Sequence, residues 1–185
     1  MMRSVPRQAP IFLISALLIS ITPSRAEIGP LPDGWRLPTT AEMDAPWRAG
    51  DPHHYLRAYG DFDGDGVSDT AFVLIADTLG PRGHPSAIGV FAWLSQPGGG
   101  RSLQTVHVLK YPLPVDFMQF GVAVRPAGRY VTACGAGYGD RCRPGEPAMI
   151  DLEHTGIECC LFESVTGIFW WNRAAGRFDG VPISD

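Results

Sequence analysis

Residues 61–69 read D-F-D-G-D-G-V-S-D, a run of residues suited to binding a metal ion. Four carboxylates stand at odd positions of this run, at Asp61, Asp63, Asp65 and Asp69. Like charges so close together repel one another unless an opposite charge lies between them. Calcium takes about six to eight oxygen ligands, and calcium-binding loops supply them from side chains at positions 1, 3, 5 and 9 and from the backbone carbonyl at position 7.

Counted from Asp61, position 7 is Val67 and position 6 is Gly66, the glycine that such loops use for a sharp turn. The predicted Ca²⁺ ligands are therefore Asp61, Asp63, Asp65, the carbonyl of Val67, and Asp69. A metal-free turn is the alternative interpretation, because Asp and Gly are also common turn residues. Mg²⁺ is the less favoured ion, since it usually takes one or two carboxylates and keeps several waters.

The residues around this run predict a loop between two strands. An EF-hand would need a glutamate at position 12 and a helix on each side, but position 12 is Phe72. Residues 70–76 are mostly apolar with β-branched members, which is typical of a buried strand. Residues 55–59 are short and aromatic at both ends, which also favours a strand.

The segment G-D-F-D-G-D-G-V-S-D at residues 60–69 resembles the calcium loops of FG-GAP and VCBS repeat proteins, whose repeats build integrin-type propeller blades. The pattern of that family is a strand, then G-D-F-N-G-D-G-x-x-D, then an apolar strand, and this chain has Asp63 in place of the Asn. The resemblance implies the same ligands. The chain carries a single copy, whereas a propeller needs several blades, so no propeller is expected within it.

Two other segments, at residues 132–147 and 167–185, resemble parts of small uncharacterised secreted bacterial proteins. That resemblance implies no activity.

Residues 1–26 have the organisation of a secretory signal peptide. Arg3 and Arg7 precede a short apolar run at residues 11–21, and Ser24 and Ala26 offer small residues at a cleavage site. The apolar run is shorter than the roughly 20 residues of a transmembrane helix. We expect cleavage before Glu27 and a periplasmic or secreted product, residues 27–185, without a membrane anchor. An uncleaved N-terminal anchor is the alternative.

Net charge argues against some partners. Three of the 15 basic residues lie in the predicted signal and none of the 19 acidic ones does, so the mature chain has 12 basic and 19 acidic residues, a net charge of −7. An acidic surface disfavours nucleic acids and anionic membranes. We therefore expect neither as a partner.

The chain has an even number of cysteines, which predicts disulfides in an exported protein. Cys134 and Cys142 bracket a glycine-rich segment and are the favoured pair; closing that loop would contribute roughly 2–3 kcal/mol. Cys159 and Cys160 are adjacent, and adjacent strand residues face opposite sides. They are either buried thiols or a less common neighbouring pair. Zinc is disfavoured, because no C-x-x-C spacing is present.

The pattern of elements predicts a mainly β fold. Thr39 and Glu42 form a capping-box pair that predicts one short N-terminal helix, which Pro46 should end by about Ala45. Short strands separated by Gly/Pro turns are predicted at residues 55–59, 70–76, 88–94, 104–111, 117–124, 130–134, 149–152, 157–162, 167–172 and 177–181. Residues 27–185 are therefore expected to form a single domain, an antiparallel sandwich or a barrel-like fold.

The function classes left open are a binding module and an enzyme. If residues 169–171 lie in a strand, Phe169 and Trp171 share one face and Trp170 takes the other, and these rings either fill a core or stack on a sugar. No G-x-S-x-G or other nucleophile signature occurs, so no catalytic residue is assigned. We expect a binding module with a structural Ca²⁺ and an unknown protein or glycan partner. The alternative is a periplasmic hydrolase whose site assembles only in the fold.

Overall fold

A computed structural model describes residues 29–43, 46–48, 54–80, 83–110, 120–138, 142, 144–161 and 165–183. Residues 31–185 form one compact unit, which holds every helix and strand given below. The predicted export signal lies outside the described residues. No helix within the described ranges has the length and apolar character needed to span a membrane.

The fold is mainly β, as predicted. A two-residue strand β1 (Trp35–Arg36) precedes the helix α1 (Thr40–Met43) and a single 3₁₀ turn (Pro46–Arg48). The remaining strands are β2 (Arg57–Gly60), β3 (Asp69–Ala76), β4 (Ala87–Ser95), β5 (Arg101–Lys110), β6 (Phe120–Arg125), β7 (Gly128–Val131), β8 (Met149–Leu152), β9 (Gly156–Leu161), β10 (Val165–Asn172) and β11 (Arg177–Ile183). Each of the ten predicted strands overlaps one of β2 to β11, although the strand predicted at residues 130–134 ends at Val131, and β1 was not predicted. Predicted strand residues 111, 117–119 and 162 lie outside the described residues.

The helix begins at the predicted capping box. The Glu42 carboxylate accepts hydrogen bonds from the Thr39 backbone N–H and hydroxyl, both at 2.8 Å, and the Glu42 N–H donates to the Thr39 hydroxyl at 3.3 Å. Arg36 of β1 holds the same carboxylate with two hydrogen bonds of 2.7 and 2.9 Å. The pKa of Glu42 falls to about 2, mainly because of the Arg36 hydrogen bonds.

Two antiparallel sheets pack on one shared core. In the first sheet, β1 and β2 both pair with β3, which pairs with β4, which pairs with β5; in the second, the order is β11-β10-β9-β6. Alternate residues of strands in both sheets point inward, such as Val73 of β3, Val90 of β4 and Ile157 of β9, all fully buried in the same cluster. The sandwich form of the prediction is confirmed, and the described strands form no closed barrel.

A small third layer covers the other face of the second sheet. Strands β7 and β8 pair with each other, and Ile150 and Leu152 of β8 pack against Ile168 and Val181 in a second apolar cluster. The predicted facing of the aromatic segment is confirmed, because Phe169 and Trp171 pack on the main core and Trp170 on the second. Strand β10 therefore contributes to both clusters.

The Cys134–Cys142 disulfide is present, as predicted, with 4.9 Å between the two Cα atoms. It closes the loop that follows β7. Cys159 is fully buried in the main core and is also disulfide-bonded, so it is not a free thiol. The disulfides indicate an oxidising compartment.

Candidate metal loop and adjoining pocket

The acidic loop, residues 61–69, joins two paired strands. It begins directly after Gly60, the last residue of β2, and ends at Asp69, the first residue of β3. Gly60 and Asp69 face each other in the antiparallel register. The predicted strand–loop–strand context is thus confirmed.

Three of the predicted ligands lie together. Asp61, Asp63 and Asp65 each offer a carboxylate oxygen, and these oxygens all lie within 4.8 Å of one another. Ligands on opposite sides of a Ca²⁺ ion are roughly 5 Å apart, since each Ca–O distance is about 2.3–2.6 Å. The spacing and the all-oxygen donor set therefore fit a hard divalent cation.

Backbone amides fix the orientation of these carboxylates. The Asp61 carboxylate accepts from the N–H groups of Gly64, Asp65 and Gly66 at 2.8, 3.0 and 2.9 Å. One oxygen of Asp63 accepts from the Asp65 N–H at 3.1 Å. The loop thus holds its acidic side chains in place by its own hydrogen bonds, and an ionised carboxylate with about four lone-pair sites retains acceptor capacity for a cation.

Two glycines let the chain turn around the carboxylates. Gly64 has a φ of 74° and Gly66 a φ of 86°, values that residues with a Cβ adopt only with strain. Gly66 stands at the loop position where calcium loops use glycine. The backbone conformation of the loop therefore favours glycine at both positions, with or without a bound ion.

Within the described part of the chain no salt bridge neutralises the acidic loop, although Arg173 partly offsets the charge of Asp63. None of the ion pairs found there involves Asp61, Asp63 or Asp65. The pKa of Asp63 is raised, first because the side chain is partly buried and then because Asp65 and Asp61 repel its charge. A bound cation would remove this repulsion.

Asp69 has a different position from the other three acids. Its side chain is fully buried, and its two oxygens accept hydrogen bonds from the Phe62 N–H at 2.8 Å and the Ser95 N–H at 2.7 Å. Burial raises its pKa to about 6. Asp69 thus anchors the loop to the end of β4. Its role as a ligand, and that of the Val67 carbonyl, stay predictions.

Two side chains from distant parts of the chain contact the loop. Arg173, in the turn between β10 and β11, donates to the backbone carbonyl of Asp63 at 2.9 Å. His154, in the turn between β8 and β9, lies so close to Gly64 that a Cβ there would overlap the imidazole ring. The loop is therefore held by both turns.

A pocket of about 350 Å³ opens between the loop and these turns. Its lining comes from three segments: Phe62 and Asp63 of the loop; Asp151, Glu153, His154 and Thr155 at the end of β8 and in the turn that follows; and Trp170, Trp171, Asn172 and Arg173 of β10 and the turn after it. Asp63 thus belongs both to the acidic cluster and to the pocket wall.

The polar groups of the pocket differ in whether they have partners. Arg129 pairs with Asp151 through two hydrogen bonds of 2.8 and 3.2 Å, and Asn172 donates to Asp179 at 2.6 Å. Glu153 and His154 are exposed, and neither makes a side-chain hydrogen bond or ion pair to any residue that the structure describes. These two groups are available to a ligand.

Comparison with known proteins adds no family to this picture. No protein-family model matches the chain, and neither a curated protein nor a solved structure matches it. The resemblance to FG-GAP and VCBS calcium loops therefore rests on the residues of the loop alone.

Sequence reasoning located the loop but not the pocket. The loop is a contiguous run, so its spacing is readable, whereas the pocket combines segments about 110 residues apart, as the Arg173–Asp63 hydrogen bond shows. One signal was present in the sequence: Glu153 and His154 stand side by side in a short polar interval between two predicted strands.

Proposed function

We propose that the acidic loop binds a structural Ca²⁺ ion and that the chain is an exported module that binds another molecule. The observation that carries this proposal is the convergence of Asp61, Asp63 and Asp65 in a loop that takes part in no salt bridge with any described residue. Asp61, Asp63 and Asp65 would supply side-chain ligands, with the Val67 carbonyl and Asp69 completing the predicted set. The cation would supply positive charge only.

Calcium in this position would stabilise the pairing of β2 and β3. The loop spans their opposed ends, so carboxylate repulsion there works against closing the strand pair. A cation bound only by the folded state stabilises it by RT ln(1 + [Ca]/Kd), or about 2.7 kcal/mol at a hundredfold excess over Kd. The site therefore serves stability in a calcium-containing compartment.

Calcium titration of the chelator-treated mature chain tests the metal proposal. We expect a saturable heat with Ca²⁺, a weaker one with Mg²⁺, and a lower melting temperature in EDTA. Asp65→Ala should abolish the Ca²⁺ heat, and Asp33→Ala, which changes an exposed acid outside the loop, should leave it unchanged. An unaltered melting temperature in EDTA would show that the loop is a metal-free turn.

Export is supported by the predicted signal at residues 1–26 and by the Cys134–Cys142 disulfide. Both are typical of a periplasmic or secreted protein. Mass spectrometry of the protein purified from the periplasm or medium tests this directly. A mature N-terminus at Glu27 is expected, and an intact Met1 in a membrane fraction would contradict it.

The pocket beside the loop supports a binding role. It joins aromatic rings to polar groups that have no partner among described residues, a combination typical of ligand sites. A hydrolase is the second candidate, because His154 lines the same pocket as Asp63, Asp151 and Glu153. No carboxylate among the described residues hydrogen-bonds His154 to orient it as a base. Incubation with ester, peptide and glycoside substrates separates the candidates, since a binding module releases no product.

A further inference from the structure

We propose that the pocket between the acidic loop and the turns after β8 and β10 binds a neutral carbohydrate, with a pyranose ring against an indole ring and its hydroxyls on Glu153, His154 and Arg173. This inference rests on the proposed function, because it names the ligand class of the binding module. It concerns a surface separate from the metal ligands, apart from Asp63, which is common to both.

Two tryptophans of β10 are available for the apolar contact that a sugar requires. Trp170 and Trp171 both line the pocket and are partly exposed. Trp171 is fixed edge-to-face on Phe178, with 5.2 Å between ring centroids, and Trp170 is held by the second apolar cluster. Because Trp170 and Trp171 point to opposite faces of β10, a single rigid indole ring would lie against the C–H face of a pyranose.

The polar groups match hydroxyls, which both donate and accept hydrogen bonds. Glu153 offers two acceptor oxygens, Arg173 offers donors, and His154 offers two ring nitrogens. Glu153 and His154 have no side-chain partner within the described ranges, so they lose no protein hydrogen bond on binding. Adjacent hydroxyls of a sugar could therefore both donate hydrogen bonds to these side chains and accept hydrogen bonds from them.

The charge balance favours a neutral ligand over an ionic one. Asp151 is paired with Arg129, and Asp63 would be offset by the loop cation. The remaining charges of the lining, Glu153 and Arg173, are opposite in sign. The volume of about 350 Å³ lies at the small end of ligand pockets, which run roughly from 300 to 1,000 Å³. One or two sugar rings would fit.

The test uses the mature chain saturated with Ca²⁺. An array of neutral and uronic-acid oligosaccharides is screened first, with choline as a cationic probe, and the strongest neutral glycan is then titrated by calorimetry. We expect saturable binding of a neutral glycan that quenches tryptophan fluorescence. Glu153→Gln should weaken it at least tenfold, and the matched control Asp33→Asn should not. Both residues are exposed, so neither change should alter folding.

The outcomes separate the pocket from the metal loop. Calcium binding is measured on the same samples, so protein that binds Ca²⁺ and melts cooperatively but binds no neutral glycan overturns the carbohydrate assignment and leaves the calcium proposal standing. Binding only to uronic acids or only to choline also overturns it. Glycan binding that is equal in wild type and Glu153→Gln places the sugar elsewhere and overturns the site.

Discussion

Arg173 donates a hydrogen bond to the backbone carbonyl of Asp63 at 2.9 Å, across 110 positions of sequence. The bond ties the turn between β10 and β11 to the loop between β2 and β3, which belong to different sheets. Because Asp63 also carries one of the clustered carboxylates, the same contact joins the candidate metal loop to the aromatic side of the pocket.

Loss of the Arg173 contact should loosen the acidic loop. We expect Arg173→Gln to lower the free energy of unfolding in Ca²⁺ by about 0.5–1.5 kcal/mol, the usual net worth of a hydrogen bond. It should also weaken Ca²⁺ binding, since a less ordered loop must be ordered on binding. Urea denaturation and calorimetry measure the two effects. Arg177→Gln, which removes an exposed guanidinium that pairs with Asp179 at 3.2 Å rather than with the loop, is the control and should leave Ca²⁺ binding unchanged.

A pair of glycine substitutions separates backbone strain from steric overlap in the loop. Gly66→Ala should cost about 1–2 kcal/mol, because a Cβ disfavours positive φ, and nothing lies within 4 Å of that Cβ. Gly64→Ala has the same strain and also meets the His154 ring, so it should cost more. When His154→Ala is added to Gly64→Ala in metal-free protein, it should restore only the stability lost to the steric overlap. The part lost to backbone strain should remain. Equal costs for the two glycine variants would contradict the contact.

Asp69 should matter to stability even without metal. The two oxygens of Asp69 accept hydrogen bonds from the N–H groups of Phe62 and Ser95. Asp69→Asn replaces one of these oxygens with an NH₂ group, which sets a donor against one of the two N–H groups. A buried donor left without its acceptor costs about 1–3 kcal/mol, and urea denaturation in EDTA measures it. Asp65→Asn under the same conditions should be neutral or stabilising, because it removes repulsion within the partly buried acidic cluster.

Glu42 gives a pH dependence of defined sign. Its folded pKa of about 2 lies below the roughly 4.3 expected of an unfolded glutamate, so the unfolded state binds more protons between these values. The contribution is therefore present above pH 4.3 and lost as the pH falls towards 2. Glu42→Gln loses the charge pairing with Arg36 but keeps a carbonyl acceptor for the Thr39 amide. We therefore expect the variant to be less stable than wild type by about 1 kcal/mol at pH 7, since solvent screens this partly exposed pair.

The difference between wild type and Glu42→Gln should vanish near pH 2, as followed by urea denaturation across the acid range. A constant difference from pH 7 to pH 2 would mean that the Arg36–Glu42 charge pair contributes nothing.

The sequence predicted those elements of the fold whose pattern lies in contiguous residues. It did not predict features that depend on pairing between distant segments. The run that became β3 was predicted because its apolar, β-branched residues are contiguous, and the helix start because Thr39 and Glu42 are three residues apart. Strand β1 was missed, because two residues carry no alternation pattern and only pairing with β3 defines it. The partner of Glu158, which is Arg125 at 2.7 Å, likewise depends on the β6–β9 register.

The same distinction holds for the candidate site. Asp61, Asp63 and Asp65 could be proposed together because a tight loop brings alternate residues to one side. The pocket residues could not be proposed together from sequence. Glu153, His154 and Trp170 are brought together only by the folded structure, in which the third layer packs on the second sheet. Burial of Asp69 was also not readable, since it depends on the amide of Ser95 from another strand.

The pairing of β6 with β9 has a consequence for how this architecture can vary. The two strands end at directly opposed residues, Arg125 and Gly156, which a turn of about two residues could connect. The chain instead makes an excursion through residues 126–155, and this excursion carries the disulfide, the third layer and the pocket residues Glu153 and His154. The third layer thus lies, in sequence, between two strands that pair directly with each other, and it is joined to the second sheet by its own contacts, such as the bridge between Thr132 and Ile183 of β11. Ligand preference could diverge by remodelling that excursion while the sheets stay the same.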